Sequence, residues 1–106
     1  MYRGTTPTVL WKIKAENINL SDITNGQMVF NNSGFLLVKP FDTLNIDATN
    51  KTISTELSQE ETLGFIGGKV EVQLRVLFNT GIAMATPIKV ITAERILKGG
   101  VIEWVM

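Results

Sequence analysis

Residues 69–78, KVEVQLRVLF, alternate without a break. Val70, Val72, Leu74, Val76 and Phe78 fall on one side, and Lys69, Glu71, Gln73, Arg75 and Leu77 on the other. That period of two marks a strand with one buried and one mostly wet face, because a helix would scatter the apolar residues around its axis. Asn79-Thr80-Gly81 then supplies a three-residue turn ending in glycine, and IAMATPIKVITA (82–93) reads as the returning strand. Pro87 has no N–H to give a ladder, so this second strand is expected at a sheet edge, or kinked at a bulge there.

The same reading applies upstream. TPTVLWKIK (6–14) places Val9, Trp11 and Ile13 on one face, with Pro7 marking where ladder donation is lost at the start of an edge strand. Residues 20–24 read as a polar corner. QMVFNN (27–32) and FLLVK (35–39) form a hairpin around Ser33-Gly34. Residues 44–47 make a weaker strand, and Asn50-Lys51 turns the chain into TISTEL (52–57), with Ile53 and Leu57 directed inward. SQEETLGF (58–65) breaks the alternation: Ser58 with Glu61 three residues on fits a capping box, and Gly64 would end a helix of about two turns. The expectation is an all-β fold: an immunoglobulin- or fibronectin-like β-sandwich of about seven strands. Its one short helix lies at the crossing between strands five and six, and a small β-barrel is the alternative. Residues 1–98 form this domain. Beyond Gly99-Gly100, residues 99–106 form either an extra edge strand or an apolar arm that adds to a neighbour.

Composition narrows function mainly by exclusion. The 106 residues suit one domain and can bury about 65% of the unfolded surface, enough for a core without staples. Ten basic and ten acidic side chains cancel, so no net field draws the chain to nucleic acid or an anionic membrane. No apolar run reaches the length of a membrane helix, and no charged-then-apolar secretory signal opens the sequence. Cysteine and histidine are both absent, which removes disulfides, thiolate metal sites, the usual general base and the commonest transition-metal ligand.

The remaining chemical candidates fail on spacing. GFIGGKV (64–70) has three residues where a phosphate-binding loop needs four between its first glycine and Gly-Lys; Val70 replaces the Ser or Thr, and a strand follows instead of a helix. Asp42 with Asp47, and Glu60 with Glu61, lack the tight glycine-turned loop of a calcium site and read as exposed carboxylates. Asn19-Leu20-Ser21, Asn31-Asn32-Ser33 and Asn50-Lys51-Thr52 match the glycosylation pattern but read as turn chemistry. No catalytic, metal or cofactor-binding residue is assigned. Trp11 belongs to the core by its face, whereas Tyr2, Arg3, Val101, Ile102, Trp104, Val105 and Met106 are the candidate interface residues.

YRGTTPT opening into a strand, LSDI at 20–23, LSQEETLGF with GGKVEVQLRVLFNTG across 57–81, and ILKGGVI at 96–102 together cover most of the chain. In these segments it resembles small tail-associated proteins of phages and prophages of Gram-positive bacteria. More distantly it is similar to the N-terminal β-sandwich domain of phage baseplate upper proteins, without their long C-terminal region. The resemblance implies a non-enzymatic virion or tail-assembly component, located in the virion or in the host cytoplasm during assembly. Its partners would be phage structural proteins, itself as a homo-oligomer, or both. The alternative reading is a carbohydrate-binding module that recognises the host envelope.

Overall fold

A computed structural model describes residues 1–14 and 17–94. The arm anticipated at 99–106 lies outside the described residues. The described residues form eight strands: β1 Thr8–Lys12, β2 Ile23–Asn32, β3 Phe35–Pro40, β4 Asn45–Asp47, β5 Thr52–Glu56, β6 Gly68–Phe78, β7 Ala83–Ala85 and β8 Lys89–Ala93. One short helix, α1 Gln59–Leu63, separates β5 from β6, and single 3-10 turns sit at Leu20–Asp22 and Phe41–Thr43. All strand pairs are antiparallel and form two sheets. The smaller sheet runs β1-β5-β4; the larger runs β3-β2-β6, with β7 and β8 both along the far edge of β6.

The long alternating segment forms β6 and divides as its pattern demands. Val70, Val72 and Leu74 are buried against β2 partners of the same face, Leu74 opposite Met28 and Val72 opposite Phe30. From the smaller sheet, Ile53 and the adjoining Leu57 meet them, so the two sheets bury one common core in a sandwich-like arrangement. Val9, Trp11 and Ile13 pack on this core half-buried, as edge-strand residues do. Phe65 closes the end beneath α1, its ring 5.7 Å and edge-on from Phe35 and 6.3 Å from Phe30. Burying each such side chain contributes about 2–3 kcal/mol.

Turn chemistry sets the register. Ser33 and Gly34 both take positive φ (49° and 90°), which a two-residue hairpin matched to strand twist requires. Gly81 is left-handed (φ 85°) and its N–H donates to the Phe78 carbonyl, closing the β6–β7 turn. The Ser58 hydroxyl accepts the Glu61 N–H while the Glu61 carboxylate accepts the Ser58 N–H, a complete capping box worth about 1 kcal/mol.

Three expectations need revising. The returning strand 82–93 is two strands: β7 pairs with β6 from Leu77–Ala83 to Arg75–Ala85, whereas β8 resumes at Val72–Lys89 with the register moved by one. Pro87 sits in that break, where the ladder needs no donor from it, so the described residues hold eight strands and not seven. The polar corner at 20–24 carries core residues, because Leu20 and Ile23 are both buried and β2 begins at Ile23. Finally, α1 spans five residues, shorter than two turns, and Gly64 ends it in right-handed conformation; the left-handed residues are Gly67 and Gly68, just before β6.

Candidate functional site

The start of the chain is tied to its far end. Tyr2 forms a parallel bridge with Glu94, and the Arg3 N–H donates to the Glu94 carbonyl at 3.1 Å. Residues 1–3 therefore lie along the free edge at the end of β8. The Tyr2 side chain is exposed. Arg3 is half-buried and turned toward α1: its Nη2 donates to the Leu63 carbonyl at 2.9 Å, a cation at the negative end of the helix, while its Nε is buried without an acceptor. The other candidate interface residues, Val101, Ile102, Trp104, Val105 and Met106, lie outside the described residues.

Two further features come from residues that the sequence reading did not single out. The first is the outer face of the larger sheet. Leu36, Asn31, Glu71 and Val90 form one row across β3, β2, β6 and β8, and Val38, Val29 and Gln73 form the next. Leu36 is 61% exposed and Val90 53%, and Val38 and Leu77 on the same face are also exposed. The polar members are ordered by their neighbours: Asn31 Nδ2 donates to Glu71 Oε1 at 3.2 Å, and Gln73 Nε2 donates to the Thr86 carbonyl at 2.8 Å. Apolar pairs thus stand in a lattice of fixed amides and charges, the mixture found at protein interfaces. The signal was present in FLLVK and IKVIT, which are apolar at successive positions and so must show apolar side chains on both faces.

The second is a cleft of about 230 Å³ where the two sheets part, between edges of β1 and β7 that no described strand pairs with. Trp11, Ile13, Leu20, Val76, Phe78 and Met84 make its walls almost wholly apolar. Lys12 and Lys14 also line it, and the Lys89 ammonium lies 5.8 Å from the centre of the Trp11 ring, within cation–π range. The Trp11 indole N–H is buried and has no acceptor among the described residues.

Three charged groups elsewhere serve the fold. Lys39, an inward-facing residue of β3, reaches the Glu61 carboxylate with both oxygens at 2.9–3.0 Å and ties β3 to α1. Burial pushes the Glu61 carboxyl up, but the Ser58 N–H and the Lys39 ammonium outweigh it and hold the group below its ordinary range. Asp47 is held low by the backbone N–H and side-chain amide of Asn50, within a turn. Among the described residues no three side chains of metal-ligating type converge. The asparagines of the three glycosylation patterns are engaged locally: Asn19 caps the first 3-10 turn, Asn31 meets Glu71, and Asn50 meets Asp47. Among the described aromatic residues Tyr2 is the most exposed. Phe30 and Phe65 are buried, Phe35 packs edge-on to Phe65, and Trp11, Phe41 and Phe78 lean on the core, so these rings present no coplanar platform.

Comparison with protein-family models, with curated proteins and with solved structures returns no match for this chain.

Proposed function

We propose that this chain is a non-enzymatic assembly module that acts through protein–protein contacts, as a structural component of a phage tail or baseplate. The observation that carries the contact role is the outer face of the larger sheet, where Leu36, Val38, Leu77 and Val90 stand exposed beside ordered polar groups. A sheet face of this kind buries apolar area on a partner while its hydrogen-bonding groups are already oriented. The phage setting comes from the sequence resemblance of residues 2–8, 20–23, 57–81 and 96–102 alone.

The finer fold assignment belongs to the same proposal. The sheet orders β1-β5-β4 and β3-β2-β6-β8, with residues 1–3 in parallel beside β8, agree with an immunoglobulin-like arrangement in which the chain crosses between sheets before β1, between β1 and β2, between β3 and β4, and again at α1. In that arrangement β3, β2, β6 and β8 display the contact face.

The test is composition of particles. After prophage induction in the source strain, mass spectrometry of purified particles should find the protein in fixed stoichiometry, and a Leu36→Glu, Val90→Glu variant should fold but drop out of them. A protein that is expressed yet absent from particles would refute the structural role. Binding to cell-wall glycans on an array, unaffected by those two substitutions, would favour the carbohydrate-binding alternative.

A further inference from the structure

We propose that the cleft between β1 and β7 is the receptor for residues Val101–Met106 of a second copy of this chain, so that the protein self-associates by exchange of its C-terminal segment. This deepens the assembly reading by naming one partner and both surfaces. The cleft is apolar, holds about 230 Å³, and is flanked by two strand edges that no described strand occupies. Such an edge recruits an extended segment through its unpaired backbone groups. The occupant must therefore be a short apolar strand-former, and Val101, Ile102, Trp104, Val105 and Met106 supply one. An indole is of the size to fill much of the cleft, and a backbone carbonyl of an incoming segment would give the Trp11 N–H the acceptor it lacks.

Charge agrees. Among the described residues Lys12 and Lys14 line the cleft and no carboxylate does, and the one charged residue in the segment is Glu103. Geometry assigns the segment to another copy. β8 runs away from the cleft: Ala93 pairs with Gly68 at one end of β6, whereas Ala85, in the cleft wall, pairs with Arg75. Glu94 is thus eight rungs, about 27 Å, from Ala85. The ten links from Glu94 to the anchoring Trp104 reach about 34 Å only at full extension, and the reversal of direction consumes about three of them, leaving about 24 Å, short of Ala85. The return path along the edge of β8 is also taken, by Met1–Arg3.

Two full-length variants test the exchange. Trp104→Lys removes the anchor of the segment; Met84→Lys puts an ammonium at a half-exposed position on the cleft wall and leaves the segment intact. Light scattering over a concentration series, with circular dichroism to verify folding, should show the unsubstituted chain associating and each variant alone at least tenfold weaker. Mixing the two variants should restore a 1:1 complex, because one keeps the cleft and the other the segment. Association that neither substitution weakens overturns the exchange and leaves the assembly reading standing. A full-length chain that stays monomeric up to millimolar concentration also overturns it, and its presence in particles would still be decided separately by mass spectrometry. Two variants that fail to complement each other place the effect elsewhere and likewise overturn it.

Discussion

Gly26 and Gly64 show how differently two glycines constrain one fold. A Cβ on Gly26 would stand 2.8 Å from the Arg75 carbonyl oxygen, which is backbone of the central β2–β6 pair and cannot yield without opening the ladder. A Cβ on Gly64 would meet the tip of the Phe35 ring at 2.6 Å, but that ring is 39% exposed and can swing. Gly26→Ala should therefore cost about 2–3 kcal/mol in urea denaturation and Gly64→Ala about 1 kcal/mol or less. A reversed order would refute this account. Neither close approach was legible in the sequence, since the partners lie about fifty residues away for Gly26 and about thirty for Gly64. The same holds for Asn32, buried with its amide donating to the Gly67 and Lys69 carbonyls and its oxygen accepting the Ile66 N–H. As sequence, it was only part of a glycosylation pattern. Glu61 adds a pH dependence. Its native carboxyl titrates below its ordinary 4.5, so its contribution to stability is complete above that value and is lost as pH falls through the lower native value. Asp47 contributes with the same sign. Glu61→Gln should flatten the fall in stability below pH 5 and leave the curve near pH 7 parallel to that of the unsubstituted protein.

At the level of elements, most local patterns were read correctly, the corner at 20–24 and the length of α1 excepted, whereas the break in the returning strand was not read. The period-two run at 69–78, the capping box at Ser58 and the Asn79-Thr80-Gly81 turn are each complete within a few residues, so they appear in the sequence itself. The division of 82–93 into β7 and β8 is not local. It follows from Thr86, whose N–H donates to the Leu74 carbonyl while its hydroxyl accepts the Leu74 N–H, using side chain in place of backbone. That substitution allows Pro87 to follow and the register to advance by one. Thr86→Val keeps the shape but removes the acceptor. It should cost about 1–2 kcal/mol, and hydrogen exchange should show the Leu74 amide losing protection before those of Val70 and Val72. The β3 segment misled in another way. FLLVK is apolar at every position before its lysine, which hid the fact that Lys39 faces inward to Glu61 while Leu36 and Val38 face solvent.

For the whole molecule, the order of pairing governs how it folds. β1 pairs with β5, β2 with β6, and Tyr2 with Glu94, so most of the structure is closed by contacts between distant parts of the chain. Loop closure must precede the reward from such contacts, and stopped-flow refolding should fall in the millisecond-to-second range typical of β-sandwiches. Microsecond refolding would mean that local structure, not this topology, limits the rate. The two-sheet architecture was legible because alternation, turns and one helical corner leave few other ways to bury a single core. The cleft was not, because its walls come from β1, the segment before β2, β6 and β7, which no local window joins.

The parallel pairing of residues 1–3 with the end of β8 has a mechanical meaning. In parallel neighbours, the chain before Tyr2 and the chain after Glu94 leave from opposite ends of the contact. Tension applied across those two points loads their hydrogen bonds in shear, all together, and does not peel them one by one. Sequential peeling needs only the force that breaks one bond, whereas shear must overcome several at once. A molecule strung between two neighbours through these segments would resist stretching at this clasp first, and the sheets behind it would carry load only after the clasp had parted.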